Sequence, residues 1–167
     1  MLIDGTYFIG LITIEGMNIP SGAGSVTNDA NAYYFNSFLE KYEKEYLVRI
    51  LGHNMYREFS AYLNREDTVD TVEKWENLKN LLTIKGECPI ANYVFFKYVK
   101  RNGISVQNSG VVKSQSEDEV NIDSVIIPAW NDMVEMNKEI YVFLEENKYE
   151  GFCFDNFLLK KINWLGV

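Results

Sequence analysis

The sequence from Pro89 to Val112, PIANYVFFKYVKRNGISVQNSGVV, decides the fold of this chain. Apart from the tyrosines, only two residues from Ile90 to Val99 are polar, so a helix there is apolar over most of its circumference. Pro89 suits the first turn, where its missing N–H costs no hydrogen bond, and Gly103 follows two cations as a C-terminal signal. We therefore predict a buried helix over residues 89–102, with the rest of the chain packed around it.

The residues that follow this helix are typical of a short β-hairpin over residues 104–113. The runs ISV and GVVK flank Gln107-Asn108-Ser109, a polar segment short enough for a tight connection. Gly110 beside it can adopt a positive φ at low cost. The residue pattern predicts that the hairpin contributes little to the hydrophobic core, so we expect the hairpin to contact a neighbouring subunit.

The N-terminal residues predict an arm that stands apart from the helical body. Residues Tyr7–Ile14, YFIGLITI, are mostly β-branched and aromatic, which indicates a strand or an extended arm. Apolar residues occupy both parities of this run, so either both faces are covered within the chain or another subunit covers the exposed side. Residues 19–31, IPSGAGSVTNDAN, have the composition of a flexible loop.

A helical period takes over from Asn31 and ends at Leu51-Gly52, where glycine is typical of a helix C-terminus. A shorter helix from Asn54 to about Leu63 follows, which makes a helical corner. The long helix has an apolar face made of Tyr34, Phe35, Phe38, Leu39, Tyr42, Tyr46, Leu47 and Ile50. We interpret its charged residues as a solvated face: Glu40, Lys41, Glu43, Lys44 and Arg49.

Two further helices are predicted, one from about Asp70 to Leu82 and one from about Pro128 to Asn147. In the first, Glu73 follows Asp70 by three residues and so has capping-box character. The tail, residues 149–167, is densely aromatic and has to be buried against the body or against a neighbour.

These patterns predict a mainly α chain that forms one domain over residues 1–167. Residues 1–28 form an N-terminal extended arm or strand with its flexible loop, and residues 29–167 form the helical body. We expect the body to be a compact bundle of about five helices around the central apolar helix 89–102. The hairpin 104–113 and the aromatic tail 149–167 belong to this body.

The composition limits the classes of function. The 167 residues include 24 Asp and Glu against 16 Lys and Arg, and the net charge of −8 disfavours non-specific binding to nucleic acid or anionic lipid. The basic clusters Lys97/Lys100/Arg101 and Lys160/Lys161 are small and lie in no DNA-binding motif. Aromatic residues make up 14%, which fits either a tyrosine-rich core or contacts with a partner.

No motif for catalysis or cofactor binding is present, so we expect a non-enzymatic protein without cofactor or metal. Cys88 and Cys153 are far apart and His53 is the single histidine, which disfavours a zinc site. We interpret His53 as a turn or core residue, and the acidic run Glu117–Glu119 as a solvated loop or helix start. Without a signal peptide or about 20 consecutive apolar residues, we expect a cytoplasmic chain with both thiols reduced.

Three phrases carry a resemblance to a known family. They are FLEKYEKEYLVRILGHNMYREF at residues 38–59, IANYVFFKYVKRNGISVQNSGVVKSQSED at residues 90–118, and KKINWLGV at residues 160–167. Together with the order of the elements, they resemble the small head-tail connector, or adaptor, proteins of tailed phages and prophages. The Tyr7–Ile14 arm and the loop after it have no counterpart in that pattern.

The resemblance implies a structural subunit that forms a ring between portal and tail, in the host cytoplasm during assembly and then in the virion. Its partners would be copies of itself and portal or tail-completion proteins, with no membrane, and DNA would at most pass through a channel. Ring contacts are heterologous, so two different faces should be adhesive. The candidate subunit-interface residues are Tyr7, Phe8, Ile12, Ile104, Val106, Val111, Val112, Phe152, Phe154, Phe157 and Trp164.

Two alternatives stay open at this point. The first alternative to the connector is a helical protein-binding or regulatory module that uses an aromatic surface. The second is an enzyme of an unfamiliar type. A deep polar pocket that converges on His53, Cys88 or the Glu117–Glu119 run would indicate the enzyme.

Overall fold

The structure is a computed structural model, and it describes residues 1–14, 26–64, 72–102, 105–107, 110–112 and 122–163. In residues 26–32, 72, 102, 105–107 and 110–112 it describes the backbone alone. The predicted mainly α fold is confirmed. The helices of the described ranges are α1 (Val26–Leu63), α2 (Val72–Leu82), α3 (Pro89–Asn102) and α4 (Asp123–Glu146).

Helix α3 has almost no surface in contact with water along most of its length. Every residue from Pro89 to Val99 except Lys97 is buried. Helices α1 and α4 supply most of the contacts to α3. The one polar amide on this buried stretch, Asn92, donates a 2.9 Å hydrogen bond to the carbonyl of Ala129 on α4, so its burial leaves the donor satisfied.

Helix α1 bends at Gly52, where the backbone leaves the helical region with φ 77° and ψ 165°. Only glycine adopts this combination readily, because a Cβ atom would clash with the neighbouring peptide groups. The bend removes intrahelical donors from the carbonyls of the preceding turn. Two of these carbonyls, those of Arg49 and Leu51, accept hydrogen bonds from the amides of Asp155 (2.8 Å) and Cys153 (3.2 Å). The C-terminal segment therefore closes the corner.

A buried polar chain links α1, α4 and the C-terminal segment. The Tyr46 hydroxyl donates to Asn137 Oδ1 at 2.5 Å, and Asn137 Nδ2 donates to the Leu158 carbonyl at 2.8 Å. Nearby, the Arg49 guanidinium donates to Asp155 Oδ2 from Nε and Nη2, at 2.9 and 2.7 Å. Because every donor here has a partner, the contacts fix the position of the segment without leaving a buried polar group unpaired.

The predicted N-terminal strand or extended arm is wrong. Residues Gly5–Tyr7 and Gly10–Ile12 form two 3₁₀ turns, and the Asp4 side chain accepts the Thr6 amide at 2.8 Å to start the first. These turns fold the segment back on the helices. The apolar side chains that they bury in the core of the same chain are Ile3, Phe8, Ile12 and Ile14.

Helix α4 begins at Asp123, so the predicted start at Pro128 is wrong. Pro128 is the sixth residue of α4, where it removes a single N–H donor from the second turn. The turn before it still forms, since the amides of Val125 and Ile126 both donate to the Ile122 carbonyl at 3.1 Å. Helix α1 begins at Val26, which is also earlier than predicted. The prediction placed its start too late because the first turns are polar and show no apolar period.

Between α3 and α4 lie two short antiparallel strands, β1 (Ser105–Gln107) and β2 (Gly110–Val112). Their register places Ser105 opposite Val112 and Gln107 opposite Gly110. The connecting residues 108–109 lie outside the described ranges, so the predicted turn geometry stays a prediction.

We expect Gly52→Ala to lower the free energy of unfolding by about 2–4 kcal/mol, because the backbone conformation is confined to glycine. A methyl group on Gly52 would also lie 3.0 Å from Cys153 Cβ. The matched control is Gly86→Ala, where φ is also positive (89°) but no atom lies within 4 Å of the added group. That variant should lose only about 1–2 kcal/mol. Urea unfolding measures both, and equal losses would show that the Cys153 contact contributes nothing.

Candidate functional site

The main concave site in the described residues is a groove with a cavity volume of about 570 Å³. The two N-terminal 3₁₀ turns form one wall, the connection from α2 to α3 forms the end, and the outer side of α4 forms the other wall. Pro89 and Asn92 line it from the first turn of α3. We call it the acidic groove because four carboxylate side chains line it.

Three aliphatic side chains point to water around this groove, although the chain buries most of its large apolar residues. Ile9, Leu11 and Ile84 are 45%, 49% and 44% exposed. Met136 on α4 adds half-buried apolar surface, and Ile140 behind it is buried. An apolar patch with a polar rim is typical of a protein-interaction site.

The rim of the groove is acidic, with Glu87 from the α2–α3 connection and Asp132, Glu135 and Glu139 from α4. Glu135 is already paired, since Lys138 and Lys161 reach its Oε1 at 2.9 and 2.7 Å. These hydrogen bonds, that of Lys161 foremost, lower the pKa of Glu135. No ion pair to the other three rim carboxylates occurs within the described residues.

The N-terminal wall is held by a buried carboxylate, that of Glu43 on α1. Glu43 is 6% exposed, so its assignment to the solvated face of α1 is wrong. It accepts the amide of Leu2 at 2.9 Å and the amide of Ile3 at 3.2 Å. Burial raises the pKa of Glu43, and the two amides oppose this rise without cancelling it. At the far end of the wall, the Tyr7 hydroxyl donates to the Thr83 carbonyl at 3.3 Å.

Cys88 lines the groove, but its environment does not favour a nucleophile. The thiol is 2% exposed and lies 3.2 Å from the Leu82 carbonyl, to which it can donate. Burial raises the pKa of Cys88 to about 12, so the reactive thiolate is scarce at neutral pH. His53 does not line the groove and is exposed on α1 just after the bend at Gly52, so of its two interpretations the turn residue agrees with the structure and the core residue does not.

A second surface lies at the C-terminal end of α3. Arg101 is exposed, with its guanidinium 6.0 Å from the centre of the Phe38 ring, and the Lys41 ammonium is 5.1 Å from the Tyr42 ring. Lys97 in the same stretch pairs with Glu45 at 3.0 Å. We define the basic-aromatic surface by its exposed members: Tyr33, Tyr34, Lys41, Lys100 and Arg101.

The structure corrects part of the predicted interface set. Phe8 is completely buried in the core of this chain, and Ile12 is 8% exposed there, with its remaining surface in the lining of the acidic groove. Tyr7 is half-buried and lines the acidic groove. The groove residues that the prediction left out, Ile9 and Leu11, occupy the odd positions of the same run. The mixed parity of the run was the signal that could have identified them.

The described C-terminal members of the predicted set, Phe152, Phe154 and Phe157, do not line the groove. Phe152 and Phe154 are half-buried and both pack edge-on against the Tyr141 ring, with centroids 5.6 Å away. Phe157 is 52% exposed, beside the Trp130 ring. Two members, Ile104 and Trp164, lie outside the described ranges, as does the acidic run 117–119. The strand residues of the set are Val106, Val111 and Val112, and only their backbone is described.

Within the described ranges, no cluster of three or more His, Cys, Asp or Glu residues is placed to hold a metal ion. No helix of the described chain has the length and apolar composition needed to cross a bilayer. Comparison with protein-family models, with curated proteins and with solved structures gave no match to this chain.

We expect the stabilising effect of Glu43, relative to Glu43→Gln, to weaken as pH rises from about 4 to 7. The pKa of Glu43 is raised in the folded protein, so the folded state binds the proton more tightly than the unfolded state. The contribution of Glu43 is therefore greatest below the unfolded pKa and falls as the carboxyl ionises. Urea unfolding of both proteins across this range measures the difference. A difference that grew with pH would mean that the amide contacts outweigh burial.

We expect iodoacetamide at about pH 8 to alkylate Cys153 at least about 100-fold faster than Cys88 in the folded protein. Cys153 is exposed, whereas Cys88 is buried with a raised pKa. Peptide mass spectrometry over time gives the two rates, and the same reaction in urea, where both thiols are accessible, is the control. Comparable rates in the native protein would indicate an activated Cys88 and support an enzymatic role for the groove.

Proposed function

We propose that this chain is a non-enzymatic assembly subunit of the head-tail connector type found in tailed phages and prophages. The observation that carries the proposal is the acidic groove, where Ile9, Leu11 and Ile84 expose aliphatic surface beside unpaired carboxylates. Such a surface lowers its free energy by binding another protein, because burial removes the aliphatic groups from water.

The resemblance of the three phrases supplies the class of partner. A connector binds copies of itself and the portal or tail-completion proteins beside it, and it needs no cofactor. The net charge of −8 suits a ring through which DNA passes without binding. Assembly would take place in the host cytoplasm, with both cysteines reduced, before the ring enters the virion.

The finer architecture follows the same proposal. Helix α3 is the axis of a bundle of five helices, counted with α1 divided at Gly52. The hairpin 104–113 and the aromatic tail extend the contacts to neighbouring subunits, the hairpin by pairing its strands with an edge of the next subunit. The aromatic residue placed for such a contact is Phe157, which is 52% exposed.

A second candidate rests on the groove alone. A helical protein-binding or regulatory module would present the same aliphatic floor and acidic rim to a different protein, without self-assembly. The two functions differ in their partners: a connector associates with itself or with a portal, whereas the module associates with neither.

We expect the protein to form rings or larger assemblies as its concentration rises, or when a portal protein encoded beside it is added. Native mass spectrometry and negative-stain electron microscopy measure this. The double variant Leu11→Asp/Ile84→Asp should lose association by at least about tenfold, since it places charges in the aliphatic floor. Val142→Asp is the matched control, because Val142 is also exposed (48%) and does not line the groove. A wild-type protein that stays monomeric and ignores the portal would overturn the proposal.

A further inference from the structure

Two charged surfaces lie at opposite ends of α3. The acidic groove lies at the N-terminal end, where Cys88, Pro89 and Asn92 line it. The cations Lys100 and Arg101 lie in the last turn of the same helix. At 1.5 Å per residue, the axial distance from Pro89 to Arg101 is about 18 Å, so the two surfaces are separate.

At the acidic end, three rim carboxylates have no ionic partner among the described residues. In the described residues, no ion pair involves Glu87, Asp132 or Glu139. The lysine next to the groove, Lys85, sits over the Tyr7 ring at 5.5 Å from its centroid. A cation from outside would meet three carboxylates around an aliphatic floor.

The basic end is the complement of this site in charge. Lys41, Lys100 and Arg101 form no ion pair with the described residues, and each lies near an aromatic ring instead. Tyr34 packs against Phe38, the ring next to Arg101, with centroids 6.5 Å apart, and Tyr33 and Tyr34 are 77% and 47% exposed. Tyrosine is a frequent anchor in protein interfaces, since it buries a large apolar ring with little loss of side-chain entropy.

We infer that the basic-aromatic surface of one copy docks in the acidic groove of the next copy. Tyr33 and Tyr34 cover the aliphatic floor, while Lys41, Lys100 and Arg101 face the carboxylates of the rim. The occupant is a second copy because one chain carries both complementary halves. This inference rests on the proposed function and names the surfaces through which the subunit assembles.

The two surfaces also limit the symmetry of the contact. A two-fold contact made through one of them alone would place two acidic grooves or two basic surfaces against each other, and the like charges would oppose it. A contact between unlike surfaces leaves one groove and one basic surface free at the ends, so each dimer can bind further copies. Repetition of that contact gives a ring when the rotation closes. Burial of the tyrosines supplies affinity, and the charges supply orientation.

The test uses charge reversal at each end of the full-length chain. The groove variant is Asp132→Lys/Glu139→Lys, and the surface variant is Lys100→Glu/Arg101→Glu. Each alone should associate at least about tenfold more weakly than wild type, because the reversed patch faces a like charge. A mixture of the two variants should recover association, because reversed and native patches then meet their opposites. Analytical ultracentrifugation at low and high salt measures the association of the groove variant, of the surface variant and of their mixture. Circular dichroism verifies that each variant is folded.

The control variant is Glu145→Lys/Glu146→Lys, which makes the same charge change at the end of α4, away from the groove, and should associate like wild type. Recovery in the mixture but not in either variant alone supports the contact. Variants that associate like wild type, or a mixture that does not recover, overturn it. A wild type that stays monomeric yet binds the portal overturns self-docking and leaves the connector role standing. Absence of both associations overturns the connector role as well.

Discussion

The burial of α3 is the constraint on which the rest of the structure depends. From Pro89 to Val99 every side chain except Lys97 has to be shielded from water, and no single neighbour is wide enough to shield the whole circumference. Helices α1 and α4 cover most of it. Removal of one large side chain from such a site generally costs about 2–5 kcal/mol, so this helix tolerates little change. The polar residues available for function are thereby confined to its two ends.

The bend at Gly52 solves a second problem, which is how the C-terminal segment attaches when its one regular element is a short 3₁₀ helix, Asn156–Leu159. A broken helix leaves carbonyls unpaired, and unpaired buried carbonyls are costly. Two of them accept hydrogen bonds from backbone amides of the C-terminal segment. The side chains of Arg49 and Asp155 form an ion pair that joins the same two segments. The pair is partly exposed, so it contributes specificity of position more than stability. The glycine thus creates the acceptors that the segment uses.

The sequence predicted the features that follow from local periodicity and missed those that follow from tertiary contact. The bend at Gly52 was predicted because glycine after an apolar helical period is a local signal. The N-terminal 3₁₀ turns were missed because β-branched residues favour strands, whereas here burial of Phe8 and Ile12 overrides that preference. Glu43 was assigned to water because its partners, the Leu2 and Ile3 amides, are forty residues away in sequence. The groove required three separate segments to meet, which no periodicity encodes.

The N-terminal segment joins the fold to the proposed assembly, because its two sides have different tasks. Its inward side chains, such as Phe8 and Ile12, complete the core, and its outward ones, Ile9 and Leu11, form the groove wall. A ligand that binds only the folded segment stabilises it by mass action, by an amount that increases with the logarithm of one plus the ratio of the free ligand concentration to Kd. Under the proposed docking, binding in the groove stabilises this part of the core, and loss of the Glu43 contacts weakens docking without any change in the groove residues. The proposed docking thus links the stability of the subunit to its affinity for a neighbour through this one segment.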